Sequence, residues 1–233
     1  MNKIKELFKE KKYIKAAAEC ENVLKKRPLS WDDKYSVLMT NVECLFKTAQ
    51  FDKVREKLET AKKIKDIYPY YYWLGLAELH QNSNYYTAEI VLRKCLDNIP
   101  YSLESERGKI LAEIAILKAL KRNFKGATLY FENALEQLIQ TEIPFYKSRF
   151  LYTIGDYKQA IKILKKDHLK NDDYLLIYIK SLKALGFYKK AFNKLYRYFK
   201  LNYSEGNELL KELALIAALT GNSHKIDDIL KKY

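Results

Sequence analysis

One pattern recurs along this chain and limits what it can fold into. An aromatic residue is followed three positions later by a small residue, and four positions after that by a large apolar one. It reads Tyr13/Ala16/Cys20, Phe51/Val54/Leu58, Tyr85/Ala88/Leu92, Phe124/Ala127/Phe131, Tyr157/Ala160/Leu164 and Tyr188/Ala191/Leu195, with a degenerate seventh copy at Ser223/Ile226/Leu230. The middle positions are separated by 38, 34, 39, 33, 31 and 35 residues. A fixed period of this length marks stacked repeats, each a supersecondary unit that cannot bury its apolar face alone. The offsets of three and four trace one face of an α-helix.

The next step on that face is Val23, Ala61, Cys95 or Ala134. A small central residue lets a second helix approach closely. Upstream of the patterned helices lie further amphipathic runs, at 33–48, 71–81, 108–121, 172–185 and 205–220. Short turns such as Thr48-Ala49-Gln50, Lys121-Arg122-Asn123, Gly155-Asp156, Gly186 and Gly221-Asn222 join the two helices of a pair. Glycine there suits a left-handed helix end. Pro28, Pro69 and Pro100 are expected to follow second helices, which they cannot continue. The last copy is expected to form a helix from Ser223 to Tyr233.

The pattern resembles the second helix of the tetratricopeptide repeat, aromatic-x-x-Ala-x-x-x-(Phe/Leu)-x-x-Ala and then Pro. Phe124-Lys125-Gly126-Ala127…Phe131…Ala134 matches it best, and Tyr85…Ala88…Leu92…Cys95…Pro100 follows. Trp73-Leu74-Gly75 keeps part of the family's first-helix start, which the other copies lack. The resemblance covers nearly the whole chain. It implies an all-α superhelix (solenoid) of about seven helix-turn-helix repeats, at roughly 1–28, 33–66, 69–100, 107–140, 143–169, 172–201 and 205–233, with degraded ends. A generic helical bundle or another α-α solenoid is the alternative.

The resemblance also implies a concave groove lined by first helices, in which a peptide or partner helix binds. By register the groove candidates are Asn41, Tyr70, Trp73, Glu113, Arg149 and Lys180. Asn can pair with a peptide backbone as donor and acceptor, and Arg can clamp a carboxylate. Tyr and Trp supply rigid contact area. An ordinary solvated helix face is the competing reading for each. The run Tyr68-Pro69-Tyr70-Tyr71-Tyr72-Trp73 holds five aromatics in six residues. Packing between repeats is expected for most of them, with one or two exposed rings.

The net charge is +14. Abundant Lys, Ile, Asn and Tyr, all with A/T-rich codons, explain part of it. From Phe145 to Lys200, however, fourteen Lys or Arg stand against four Asp. Lys162, Lys165, Lys166, Lys189, Lys190, Lys194 and Arg197 fall mostly on second helices, which the repeat geometry places on the convex side. A solvated basic face, an acidic protein partner and nucleic acid each fit such clustering.

Catalytic and metal motifs are missing from the sequence. His80, His168 and His224 are isolated, and Cys20, Cys44 and Cys95 lie far apart with no CxxC pair. Neither a disulfide framework nor a zinc site is expected, and the cysteines suit a reducing compartment. The carboxylate pairs Asp172/Asp173 and Asp227/Asp228 fall at turns or helix starts, where they complement the helix dipole. The expectation is a non-enzymatic, cofactor-free scaffold or adaptor in the cytoplasm that binds a protein or peptide and is able to self-associate. No segment is apolar and long enough to enter a membrane. Two alternatives stand beside it. One is a bacterial peptide-sensing regulator, although a repeat beginning by Tyr13 leaves no room for an N-terminal effector module. The other is an RNA-binding repeat protein using residues 145–200.

Overall fold

The computed structural model of the chain describes residues 2–26, 28–82, 84–165, 171–201 and 207–231. Among these residues every regular element is helical, and helices come in pairs joined by tight turns. The first four pairs are α1 (Asn2–Lys9) with α2 (Tyr13–Lys26), α3 (Trp31–Lys47) with α4 (Phe51–Lys62), α5 (Tyr68–Asn82) with α6 (Tyr85–Asn98), and α7 (Glu104–Leu120) with α8 (Phe124–Gln137). They make one compact unit, Met1–Gln140. A second unit, Thr141–Tyr233, holds α9 (Ile143–Thr153) with α10 (Tyr157–Leu164), α11 (Asp172–Ala184) with α12 (Tyr188–Leu201), and α13 (Asn207–Leu219). A 3-10 turn at Ser223–Lys225 and a short helix α14 (Asp227–Leu230) follow α13. Within each unit successive helices pack side by side, and α3 also meets α5, as α11 meets both α9 and α13. Each unit is thus an α-α stack of solenoid type.

The repeat positions explain the packing. Ala16, Val54, Ala88, Ala127, Ala160 and Ala191 are all completely buried. Cys20, Leu58, Leu92, Leu164 and Leu195, four residues on, are buried as fully. A small residue at the closest approach and a large one beside it fill the interhelical space without voids.

The turns share one grammar. At six of the seven repeat copies the second residue before the pattern has a positive φ: Lys11 (59°), Ala49 (56°), Arg122 (59°), Gly155 (90°), Gly186 (78°) and Gly221 (68°). The amide that follows donates back to the carbonyl five residues earlier, as in Gln50 to Leu45 (2.9 Å), Asn123 to Lys118 (2.9 Å) and Phe187 to Leu182 (2.9 Å). This closes the first helix with a Schellman bond. Asn84, Asn123 and Asp156 then cap the next helix by accepting from the amides of Thr87, Gly126 and Gln159. A non-glycine left-handed residue costs about 1 kcal/mol. Ala49→Gly should therefore raise stability by up to about 1 kcal/mol, and Gly186→Ala should lower it by about as much. A Cβ on Gly186 meets nothing within 4 Å, so the cost is purely conformational. Urea titrations of the two variants check this; equal shifts in the same direction would contradict it.

Three expectations are corrected. Pro69 does not follow a second helix but sits in the first turn of α5, and Pro144 does the same in α9, where the missing N–H has no helical partner to lose. The last copy does not make one helix from Ser223; it breaks into the 3-10 turn and α14, and Tyr233 lies outside the described residues. An exposed Ser223 stands there where the other copies carry an aromatic, although Ile226 and Ile229 are still buried. The aromatic run has no exposed ring: Tyr70 and Tyr71 are buried, while Tyr68, Tyr72 and Trp73 pack half-buried against the same core.

Candidate functional site

Asn41 is the groove candidate with the most unusual surroundings. It lies on α3, 0% exposed, at the floor of a cleft of about 370 Å³ between α2 and α4. Ile14 and Ala17 of α2 and Leu45 of α3 give the cleft an apolar lining. The Asn41 Nδ2 donates to Glu21 Oε1 at 2.6 Å, and the Lys57 ammonium sits 2.8 Å from the same oxygen. A carboxylate only accepts, so this bond fixes which end of the amide faces Glu21. Asn41 Oδ1 is left buried with no donor. Burial pushes the Glu21 carboxyl up, but hydrogen bonds from Lys57 and Asn41 outweigh it and hold it below its ordinary value. Burial likewise depresses Lys57, and Glu21 more than restores it, leaving the ammonium above its ordinary value.

An orphaned buried acceptor costs about 1–3 kcal/mol. The cleft therefore carries one unsatisfied acceptor on its floor, a carboxylate beside it, an apolar wall on the α2 side and a polar wall of Gln50, Lys53 and Glu56 on the α4 side. Such a lining matches an amide N–H flanked by an aliphatic group, the chemistry of an extended peptide. The position differs from the expectation: Asn41 belongs to a first helix, yet it opens between two second helices. The Glu21–Lys57 pair was missed, because the two fall at different repeat positions, the fifth residue after Ala16 and the third after Val54.

The other groove candidates are spent inside the units. Tyr70 is buried, its hydroxyl 3.1 Å from Glu59 Oε1 and its ring edge-on to Tyr71. Trp73 packs edge-on against Phe46 and Tyr72 at 5.2 and 5.6 Å. Glu113 is 1% exposed on α7. Tyr70 and Glu113 are thus buried within the first unit, while Trp73 is half-buried. Arg149 stacks its guanidinium over Phe145 and Tyr146 at 5.4 and 5.9 Å. Lys180 pairs with Glu208 at 3.5 Å, and Lys183 beside it pairs with Glu212 at 2.7 Å.

The basic candidates have a different fate. Lys162, Lys165, Lys189, Lys190 and Arg197 are exposed and Lys194 is half-buried; Lys166 lies outside the described residues. The structure brings Lys189, Lys190, Lys194 and Arg197 together on α12 and places Lys162 on α10.

Elsewhere titratable groups serve the fold. Glu89 on α6 accepts from Arg93 and meets Lys118 of α7 (3.2 Å) and Lys121 just beyond its end (3.0 Å). Burial would raise its carboxyl, but bonds from Arg93, Lys121 and Lys118 overcome this and bring it to about 2. Burial pushes the Cys20 and Cys95 thiols up to about 12, far from a reactive thiolate. Among the described residues no group of three His, Cys, Asp or Glu is placed to hold a metal ion, and no helix is long and apolar enough to cross a membrane.

The helix pairs define an all-helical repeat fold of α-α solenoid type in each unit. No family model matches the chain, and no curated protein matches it. A solved structure similar to it is titled "Structure of Naa15/Naa10 bound to HypK-THB", at 15% identity and a TM-score of 0.42. The similarity covers 99% of this chain and 35% of that one, so the chain spans about a third of the length of the protein it matches.

Proposed function

We propose that the chain is a non-enzymatic binding platform that takes an extended segment of a protein partner in the cleft around Asn41. The observation that carries this reading is the buried, unpartnered Oδ1 at the floor of a cleft with one apolar and one polar wall. A backbone N–H of the bound segment supplies the missing donor, and its side chain lies against Ile14 and Leu45. Net gain from such a bond is modest in water but larger where the acceptor is otherwise orphaned. Cysteines with raised thiols and carboxylates committed to interhelical ion pairs support a binding role over a chemical one.

The test is a random-peptide display selection on the full chain, followed by affinity measurement of the enriched peptides. Asn41→Leu removes the orphaned acceptor while keeping bulk, and Glu21 retains Lys57. The variant should unfold at the same or slightly higher urea concentration while losing about tenfold or more in peptide affinity. Failure to enrich any peptide, or equal affinity of the variant, would sink the cleft as a peptide site.

A further inference from the structure

The second helices of the two units are not equivalent in charge. In the first unit the protein supplies its own counter-ions. Glu21 of α2 meets Lys57 of α4 at 2.8 Å, Arg55 of α4 meets Glu78 of α5 at 2.9 Å, and Glu89 of α6 is held by three cations. In the second unit α10 reads YKQAIKIL and α12 reads YKKAFNKLYRYFKL, with no Asp or Glu in either. Both helices pack on α11. Their Lys158, Lys162, Lys189, Lys190 and Arg197 are exposed and form no ion pair among the described residues. The nearby carboxylates of α13 are already committed, because Glu208 pairs with Lys180 and Glu212 with Lys183 of α11.

An apolar feature adjoins two of these cations, Lys189 and Lys190. A cavity of about 540 Å³ opens at the α11–α12 turn, lined by Phe187, Tyr188 and Leu219 with Lys189 and Lys190. Phe187 is 54% exposed and Leu219 57%, so large apolar side chains stand in solvent beside ammonium groups that pair with no carboxylate among the described residues. Lysine side chains and an apolar cavity side by side match one kind of ligand, an acidic segment with an apolar anchor. Two rings of α12 that nucleic acid could use as stacking platforms are engaged, although Phe187 and Tyr188 stay exposed beside the lysines. Tyr196 stacks on Phe192 at 5.5 Å with the Lys200 ammonium 4.7 Å from its centroid, and the Tyr198 hydroxyl bonds Asp172.

We propose that the outer face of α10 and α12 binds an acidic segment of a protein partner. Its carboxylates meet Lys158, Lys162, Lys189, Lys190 and Arg197, and one of its apolar side chains enters the cavity beside Phe187. The inference rests on the chain being a protein-binding array, but it uses a different surface from the Asn41 cleft. Exposed cations add little to stability when unpaired, so their clustering without acids is a feature of recognition.

The experiment is fluorescence anisotropy on the full chain with three labelled probes. These are an acidic peptide of Glu and Asp around a central Phe, the same peptide with Ser for Phe, and a single-stranded RNA oligonucleotide of equal charge. The Phe peptide should bind about tenfold more tightly than either control. Lys189→Glu combined with Arg197→Glu should weaken it by about tenfold or more at unchanged helicity. Phe187→Ser should remove the advantage of Phe over Ser. Tighter binding of RNA than of the peptide, or peptide affinity unaltered by the charge reversals, would overturn the proposal. Asn41→Leu should leave this binding untouched, so loss of the cleft and loss of the basic face are read separately.

Discussion

Glu89→Ala is expected to lower the stability of the chain by about 3 kcal/mol, the typical cost of breaking a buried ion pair by removing one partner. Glu89 joins α6 to α7: its Oε1 lies 2.8 Å from Arg93 and 3.2 Å from Lys118, and its Oε2 lies 3.0 Å from Lys121. The carboxylate and Lys118 are nearly out of solvent, so the ammonium groups left behind would repel each other with little screening. Glu89→Gln keeps the shape and should cost nearly as much, because the charge is what holds the three cations. The effect depends on pH in a defined direction. The folded carboxyl sits at about 2, below the ordinary value of 4.5. Its contribution is therefore complete above about 4.5 and is lost as pH falls toward 2. Urea titrations from pH 7 to pH 2.5 should show the parent and Glu89→Gln converging below pH 4.5. A constant difference across that range would mean that the carboxylate is not the stabilising group.

Leu92→Ala should cost a similar amount, about 3 kcal/mol, by opening a cavity at a fully buried position of α6. Its partner across the helix pair is Gly75 of α5. A Cβ built on Gly75 lies 2.7 Å from both Cγ and Cδ2 of Leu92, closer than atoms pack. Gly75→Ala alone should therefore destabilise by about 1–2 kcal/mol, despite the roughly 1 kcal/mol that alanine gains over glycine within a helix. Truncating Leu92 removes the two atoms in the way, and the next neighbour, the Ala88 carbonyl, is at an ordinary 3.6 Å. In the Leu92→Ala background, Gly75→Ala should become stabilising by about 1 kcal/mol. A change of sign in the double-mutant cycle is the expected signature of direct contact. An equal cost in both backgrounds would show that the two helices do not meet there.

The helix pairs were legible because their signal is periodic and local. Ala16, Val54, Ala88, Ala127, Ala160 and Ala191 mark the closest approaches by sequence alone, and all are completely buried. The turns were half legible. Gly155, Gly186 and Gly221 announce a left-handed residue, whereas Lys11, Ala49 and Arg122 occupy the same conformation with no glycine to signal it. Pro69 misled because proline is compatible both with the end of one helix and with the first turn of the next. Which of these applied depended on where α5 could start to bury Tyr70 and Tyr71.

The candidate sites divide along the same line. The uncompensated cations of residues 145–200 are a compositional fact, visible before any fold is known. Their separation into Lys180, held by Glu208, and Lys189, Lys190 and Arg197, held by no carboxylate among the described residues, depends on which helices neighbour which. Asn41 was legible as an off-pattern polar residue, but its bond to Glu21, twenty positions away, and its orphaned acceptor were not. The amino-acid sequence by itself determined the helix pairs, their period and the residues at their closest contacts, because these follow from spacing along one helix face. Only the tertiary structure decided which polar groups find partners. Pairing and desolvation are properties of neighbours brought together across helices, and no spacing along one helix encodes them.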